Sequence, residues 1–162
     1  MRFDILTLFP AMFEGPLTES ILKKGREKGL FVINIRNLRD KTIDKHKTAD
    51  DASFGGGVGM VIKIEPVTAF IKELKTPKTR TILMAPTGAK LTQDKVKQLS
   101  KEEHLIVICG HYEGVDERIK DSIDEELSIG DYVLTGGEIP AMVLIDSVCR
   151  YIPGVVKEMD SV

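Results

Sequence analysis

The sequence predicts an α/β fold, in which a parallel sheet is flanked by helices. Three observations favour it: apolar strand segments alternate with amphipathic helical segments, residues 105–109 are apolar throughout, and 162 residues suffice for one such domain. Strands that alternate with helices pair in parallel, and a strand buried on both faces reads as a continuous apolar run. We therefore expect one α/β domain.

The first half of the chain predicts a strand, a helix, a strand and a long loop, in that order, at residues 3–9, 16–28, 31–35 and 37–59. Leu17, Ile21 and Leu22 recur at helical spacing, so we expect them on one helix face, and Gly29 is a typical helix end. The loop is polar and then glycine-rich. Loops of that length usually have a function or are mobile.

The second half predicts a helix, a strand, a helix, a strand and a final helix, at residues 65–75, 80–84, 91–99, 105–109 and from about 138. The first of these strands is expected to end at Pro86, and Thr92 is a suitable N-cap for the following helix. In the final helix Pro140 fits the first turn, and the spacing turns Ile145 and Cys149 inward.

The composition is that of a soluble globular protein, with 42% hydrophobic and 30% charged residues. No apolar run approaches the roughly 18 residues that a membrane span needs, and the first residues lack the pattern of a signal peptide. Cys109 and Cys149 are flanked by apolar residues, which predicts buried thiols. We expect a cytoplasmic protein without a membrane partner.

Charge is unevenly distributed although the formal net charge is only −2. Residues 75–101 carry seven bases and one acid, residues 102–131 carry ten acids and two bases, and residues 36–47 carry five bases and two acids. Such patches can meet a nucleic-acid backbone on a neutral protein. They are also typical of solvated helix and loop faces, and charge alone favours that second interpretation.

The glycine-rich segment 54–60 resembles a phosphate-binding loop but fails both spacing tests. No third glycine follows at the dinucleotide spacing, and no Gly-Lys-Ser/Thr sequence follows either. The segment also follows a polar loop instead of a strand. A hinge and a substrate-contacting loop both remain open at this point.

A second candidate site begins where the apolar segment 105–109 runs into Gly110. The ends of parallel strands are where open α/β sheets bind ligands, and a glycine lets a ligand approach the backbone. Glu113 is suited to accept hydrogen bonds from a ligand. Glu113, Asp116 and Glu117 form an alternative set of metal ligands, but the three histidines lack ligand-like spacing, and no metal site is predicted.

The third candidate site is residues 128–138, where Gly130, Gly136 and Gly137 precede the final helix. So much glycine predicts a tight turn that presents bare backbone to a flat ligand. A purine fits such a turn, with Ile129 and Leu134 against its faces. A plain hairpin turn is the alternative, although it would not need this much glycine.

Segments 109–118 and 128–142 resemble the signature blocks of the bacterial tRNA (guanine-N1)-methyltransferases. Segments 50–60 and 145–155 are similar to two further blocks of that family, and residues 8–13 to its opening. The resemblance runs through essentially the whole chain in order, and blocks of this length are highly specific.

The resemblance implies a SPOUT-type methyltransferase, with residues 1–162 as its catalytic domain and a C-terminal trefoil knot, a rare feature in proteins. It implies S-adenosyl-L-methionine as methyl donor, bound in the knot at a homodimer interface. The implied substrate is tRNA, methylated on N1 of the guanosine 3′-adjacent to the anticodon (position 37). The resemblance also suggests that Mg²⁺ assists the reaction.

By resemblance, the cofactor-binding residues are Met84, Ala85, Pro86, Gly110, Tyr112, Glu113, Ser128, Ile129, Gly130, Asp131, Tyr132, Val133, Leu134, Gly136 and Gly137. Asp50 and Arg150 match positions that the family associates with tRNA and catalysis. His111 departs from the family, which commonly has arginine there. The family's linker aspartate and helical tRNA-binding domain are expected beyond Val162, outside this chain.

Methylation of guanine N1 removes its proton and pushes negative charge onto the carbonyl oxygen. A carboxylate base and a cationic donor are therefore the expected pair. The resemblance makes the linker aspartate the base and Arg150 a candidate for the cation. The competing hypothesis is a nucleotide- or RNA-binding module without chemistry, and binding of S-adenosylmethionine in preference to NAD or ATP separates the two.

Overall fold

The computed structural model describes residues 1–52, 59–111 and 114–156. Its helices and strands are β1 (Arg2–Thr7), α1 (Ser20–Glu27), β2 (Val32–Asn37), β3 (Asp50–Ala52), β4 (Met60–Ile62), α2 (Ile64–Leu74), β5 (Thr79–Lys90), α3 (Gln93–Leu99), β6 (His104–Cys109), β7 (Glu125–Ser128) and α4 (Glu138–Cys149). Five strands form one sheet in the order β2-β1-β6-β5-β7, and every pairing within it is parallel. The predicted parallel α/β fold is confirmed.

The central strand β6 is buried along its whole length, as the apolar run predicts. Leu105, Val107 and Cys109 face one side of the sheet and pack in a core with α1, α3 and α4. Ile106 and Ile108 face the other side and pack with α2. Because successive side chains of a strand alternate between faces, this one strand anchors both cores.

Most predicted elements are present, with shifted ends. Helix α1 begins at Ser20, later than expected, and Ile21 is exposed instead of buried. Thr92 caps α3 as predicted, since its side chain accepts a hydrogen bond from the backbone N–H of Lys95. Pro140 lies in the first turn of α4, and Ile145 and Cys149 are fully buried.

Four strands differ from the sequence prediction. Strand β5 does not end at Pro86 but continues to Lys90, with an irregularity in its pairing to β7 between Met84 and Ala89. Strand β7 was not predicted, and its residues Glu125 and Glu126 have no apolar alternation. Residues 50–52 of the predicted loop 37–59 form β3, which pairs in an antiparallel ribbon with β4 just after that loop. Residues 53–58 of that segment lie outside the described residues.

The basic and acidic stretches pair with one another. Arg80 and Lys95 both contact Glu125, at 2.5 and 2.7 Å, and Lys78 contacts Glu103 at 2.6 Å. These cations belong to the basic stretch 75–101 and the carboxylates to the acidic stretch 102–131. These ion pairs therefore neutralise much of the positive charge that a polyanion would otherwise contact. No described helix has the length and apolar character that crossing a membrane requires.

A buried ionic cluster is centred on Asp4, near the amino end of β1. Asp4, fully buried, accepts hydrogen bonds from Arg2 at 2.6 Å and Arg36 at 2.8 Å, and its Oδ2 lies 2.9 Å from Nε2 of His104. Burial alone would raise the pKa of Asp4, but these three partners together lower it. Burial lowers the pKa of His104, although the contact with Asp4 opposes that effect.

This cluster predicts that the protein loses stability in mild acid. Because the pKa of His104 is lower in the fold than in the unfolded chain, the unfolded chain takes up the proton first as the pH falls through roughly 6.5. Urea unfolding at pH 7.5 and 5.5 should show a lower unfolding free energy at the lower pH. His104→Gln should reduce that difference, and an equal pH difference in the variant would contradict the assignment.

Thr81 offers a test of buried polar groups. Across the described parts of the chain, its Oγ1 is the buried side-chain atom without a hydrogen-bond partner. Thr81→Val keeps the shape and removes an unsatisfied hydroxyl, so thermal unfolding should show a gain of about 1 kcal/mol. Thr79→Val is the matched control and should lose stability, because the hydroxyl of Thr79 lies 2.8 Å from Nδ1 of His104. A loss from Thr81→Val would contradict the prediction.

Candidate functional site

A cleft of about 300 Å³ lies where the carboxyl ends of β6 and β7 meet the middle of β5. This is the edge at which open parallel sheets bind ligands. Its lining residues come from three segments: Leu83, Met84, Ala85 and Pro86; Gly110, His111, Gly114 and Val115; and Leu127, Ser128, Ile129, Gly130, Tyr132, Val133, Leu134, Thr135, Gly136, Gly137 and Pro140. Five of these are glycines, so much of the wall is backbone.

Two backbone segments touch at the base of the cleft. The N–H of Gly137 donates a hydrogen bond to the carbonyl oxygen of Gly110 at 2.6 Å. A Cβ on Gly137 would lie 2.8 Å from the nitrogen of Gly110 and 2.9 Å from Cα of Cys109. Real Cβ atoms do not approach backbone so closely, so this position requires glycine.

A buried carboxylate lies beside that junction. Glu138, the first residue of α4, is fully buried. Its Oε1 accepts a hydrogen bond from the hydroxyl of Thr7 at 2.8 Å, and its Oε2 lies 3.4 Å from Nδ1 of His111. The ring of His111 packs on Phe9, with ring centroids 4.5 Å apart. The carboxylate thus joins the ends of β1 and β6 to the start of α4.

The nearby thiol is not suited to chemistry. Burial raises the pKa of Cys109 well above its ordinary value, and the charge of Glu138 raises it further. A thiol that stays protonated is a poor nucleophile. Cys109 therefore serves as part of the core.

The cleft gathers most of the residues that the sequence suggested for cofactor binding. Twelve of them line it: Met84, Ala85, Pro86, Gly110, Ser128, Ile129, Gly130, Tyr132, Val133, Leu134, Gly136 and Gly137. Asp131 lies in the same segment but is exposed and does not line the cleft. Tyr112 and Glu113 lie outside the described residues. That these residues bind a cofactor stays a prediction.

Asp50 lies one strand away from the cleft. In the ribbon, Asp50 is paired with Ile62. The N–H of Ile62 in turn donates to the carbonyl oxygen of Gly114 at 3.0 Å, and the carbonyl oxygen of Ile62 accepts from the N–H of Asp116 at 3.1 Å. Gly114 belongs to the cleft wall, so the ribbon is attached directly to that wall.

Arg150 is not brought to the cleft of its own chain. It follows the last residue of α4, whereas the first turn of that helix borders the cleft. Twelve helical residues span about 18 Å. Arg150 shares an exposed face of α4 with Ile139, Val143 and Asp146.

Sequence reasoning missed Thr7, and it gave no specific role to His111 or to Glu138, although Glu138 ends the candidate segment 128–138. Glu138 directly follows a pair of glycines at a helix start, which is a usable signal for an anchoring residue. Thr7 carries no such signal, because only the folded sheet brings it to Glu138 across 131 positions of sequence.

The alternative set of metal ligands is described only in part, because Glu113 lies outside the described residues. Asp116 is paired with Arg118 at 2.5 Å, which lowers the pKa of that carboxyl, and Glu117 is paired with Lys120 at 2.6 Å. Over residues 1–52, 59–111 and 114–156, no group of three potential ligands is arranged to hold a metal ion.

A larger groove of about 1040 Å³ borders α2 and residues 41–51, but its lining is mixed in charge. Lys63 lies 3.8 Å from Asp51 there, and Arg118 is paired with Asp116. Side chains that already neutralise one another make a poor binding site for a charged ligand. The glycine-lined cleft is therefore the better candidate.

Comparison with known proteins identifies what the chain resembles. The family described as tRNA (Guanine-1)-methyltransferase TrmD matches residues 1–162. A tRNA (guanine-N(1)-)-methyltransferase of Geobacter sp. (strain M21) is 54% identical over 99% of this chain and 66% of the relative. Proteins of the same name from Dictyoglomus turgidum and Carboxydothermus hydrogenoformans are 55% and 56% identical, over 99% and 98% of this chain and 66% and 63% of each relative. The chain thus spans about two thirds of the length of these relatives.

The glycines of the cleft predict opposite outcomes for two similar changes. Gly137→Ala should destabilise the protein by about 1–3 kcal/mol, because its Cβ meets backbone that cannot yield. Gly110→Ala should fold nearly normally, since its Cβ would lie 3.5 Å from the nearest atom, the carbonyl oxygen of Met84. Thermal unfolding compares the two, and equal stability would show that the Gly110–Gly137 contact is not close.

Proposed function

The chain belongs to the tRNA (guanine-1)-methyltransferase family, and from that premise we propose that it transfers a methyl group from S-adenosyl-L-methionine to tRNA. The proposed product is N1-methylguanosine at position 37, 3′-adjacent to the anticodon. Residues 1–162 are proposed as the SPOUT-type catalytic domain. The observation that carries the proposal is the gathering of twelve suggested cofactor residues around one cleft.

The cleft fits the methyl donor in size and lining. Small-molecule sites measure about 300–1,000 Å³ and combine apolar walls with a few polar groups. The volume of about 300 Å³ lies within that range. Ile129 and Leu134 offer apolar contacts for a purine, and the glycines, which lack side chains, let its edge approach the backbone closely. A Cβ on Gly110 would make only ordinary van der Waals contacts, at 3.5 Å from the carbonyl oxygen of Met84 and 4.0 Å from Cγ2 of Val115.

When bound, S-adenosylmethionine supplies an electrophilic methyl carbon attached to sulfur. The chain's contribution is placement, because in-line alignment with guanine N1 accounts for much of the acceleration. Asp50 and Arg150 are proposed to act on the guanine. The guanidinium of Arg150 suits the carbonyl oxygen, where negative charge develops as N1 loses its proton. Asp50, on the ribbon attached to the cleft wall, suits contact with the base or its ribose.

The distance between Arg150 and the cleft supports a homodimer. An arginine about 18 Å along α4 cannot serve the cleft of its own chain, whereas a second copy docked on α4 can supply one. The exposed face of α4 carries Ile139 and Val143, 47% and 43% exposed. Tyr132 and Val133 add apolar surface beside the cleft. A two-fold interface on this face would cover all four.

A trefoil knot in the C-terminal part is also proposed. Residues 129–137 join the end of β7 to the start of α4. On one side β7 pairs with β5 both before and after Pro86, and on the other Gly137 is bonded to Gly110. Both contacts require glycine, because a Cβ on Gly88 of β5 would lie 2.6 Å from the carbonyl carbon of Glu126 and one on Gly137 would lie 2.8 Å from the nitrogen of Gly110. Such close backbone packing is what a chain threaded between loops needs.

The remaining proposals concern the setting of the reaction. A reducing cytoplasm suits the buried thiols of Cys109 and Cys149, the latter with a pKa that burial raises to about 12. Assistance by Mg²⁺ rests on the family resemblance, and no residue of this chain is assigned to it.

Binding of the proposed cofactor should stabilise the protein against thermal unfolding. S-adenosylmethionine at 100 times its dissociation constant should stabilise the protein by about 2.7 kcal/mol, whereas NAD and ATP should not. Gly110→Ala should fold but lose most of that stabilisation, because its methyl group takes space in the cleft. Thermal melts with each ligand test both statements. Unchanged melting of the folded wild-type protein in millimolar S-adenosylmethionine would contradict the proposal, and a shift with NAD or ATP alone would favour a nucleotide-binding module.

The proposed interface predicts a dimer at tens of micromolar in sedimentation. Val143→Glu should give monomers, because it places a charge within the apolar face of α4. Val32→Glu is the matched control: Val32 is 52% exposed on the edge strand β2, away from α4, and its variant should remain dimeric. A monomeric wild-type protein, or a dimeric Val143→Glu variant, would contradict this interface.

A further inference from the structure

We propose that Glu138 is a positioning residue for the methyl-donor cleft, acting through His111 and through the turn at Gly136 and Gly137. The inference rests on the proposed function for its ligand but not for its geometry. Glu138 does not line the cleft, whereas His111, Gly136 and Gly137 do. Glu138 therefore supports His111, Gly136 and Gly137 from outside the cleft.

The first support is the location of the charge. A fully buried carboxylate costs several kcal/mol in lost hydration unless its partners compensate. Glu138 stands at the first position of α4, where the helix dipole favours a negative group. It receives a hydrogen bond from Thr7, and the ring of His111 lies beside its second oxygen. Thr7 is the last residue of β1 and His111 follows the end of β6, so the carboxylate ties three elements together.

The direction of the Thr7 hydrogen bond is fixed by a second contact. The backbone N–H of Phe9 donates to Oγ1 of Thr7 at 2.9 Å, which occupies a lone pair of that oxygen. The one proton of the hydroxyl is therefore directed to Glu138. The same turn brings the ring of Phe9 against the ring of His111. Thr7, Phe9 and Glu138 together fix where that imidazole sits.

The turn before α4 packs directly on this pair. A Cβ on Gly136 would collide with both Oε2 of Glu138 and Nδ1 of His111. Gly136 also forms an antiparallel bridge with His111, and Gly137 is bonded to Gly110. A displacement of the carboxylate or the imidazole would therefore move the glycine turn, and with it the cleft wall that begins at Ile129.

The geometry assigns a tautomer to His111. A carboxylate accepts hydrogen bonds, so the nitrogen that faces Glu138 must carry a proton. Neutral His111 is then the Nδ1–H form. Glu138→Gln keeps the size of the side chain but removes the charge and makes one terminal atom a donor, which removes the preference for that form.

The experiment compares Glu138→Gln with Thr7→Val, which leaves the carboxylate in place and deletes its donor. Calorimetry should show S-adenosylmethionine binding weakened roughly tenfold or more in Glu138→Gln, and by a smaller factor in Thr7→Val. Thr81→Val, with an unbonded buried hydroxyl, and Glu19→Gln, with an exposed carboxylate, are the matched controls and should bind as wild type does. Melting curves without ligand show whether each variant is folded.

A second readout does not need the cofactor. NMR spectra that correlate the ring nitrogens of His111 with its carbon-bound protons should show the Nδ1–H form in the wild-type protein and a changed pattern in Glu138→Gln. Wild-type binding by folded Glu138→Gln, or a wild-type His111 in the Nε2–H form, would overturn the proposal. If Glu138→Gln does not fold, unchanged binding by Thr7→Val would overturn it instead. Failure of the wild-type protein to bind S-adenosylmethionine would contradict the proposed function, and the tautomer would still decide the role of Glu138.

Discussion

One backbone contact, between Gly137 and Gly110, is the constraint on which the candidate site depends. Their hydrogen bond of 2.6 Å leaves no room for a Cβ on Gly137, so the chain before α4 lies flush against the end of β6. The walls of the cleft adjoin this contact, the middle of β5 or the end of β7. The shape of the site is thus set by backbone packing, and the side chains around it secure that packing.

This construction suits a reaction in which placement matters more than acid or base strength. A glycine-lined wall holds a flat ligand in one orientation, and orientation is what a methyl transfer between a good electrophile and a ring nitrogen needs. The arginine suggested for charge stabilisation lies at the far end of α4. As proposed, the cleft of one chain binds the methyl donor, whereas contact with the guanine requires two chains.

Much of the fold was predictable because its signals are local. The apolar run of β6, the N-cap at Thr92 and Pro140 in the first turn of α4 each follow from neighbouring residues. Strand β7 was not predictable, since Glu125 and Glu126 extend only because β5 offers a partner and because Arg80 and Lys95 neutralise Glu125. The continuation of β5 past Pro86 likewise depends on its pairing with β7.

The candidate site, like the fold, was predictable only where its signals are local. The glycine-rich segment 128–138 predicts a backbone-lined pocket, and most residues suggested by family resemblance do line one cleft. The link from Thr7 to Glu138 joins positions 131 residues apart, so no local pattern indicates it. The position of Arg150 relative to the cleft is also a property of the folded helix, and no spacing rule predicts it.

The most direct test of the central claim is an NMR titration of the isotope-labelled protein with S-adenosyl-L-methionine, following backbone amide shifts. We expect the largest changes on residues 84–85, 110–111 and 129–137, with little change at Lys63 or Asp51 in the larger groove. Changes centred on that groove, or none at saturating ligand, would contradict the claim that the glycine-lined cleft holds the methyl donor.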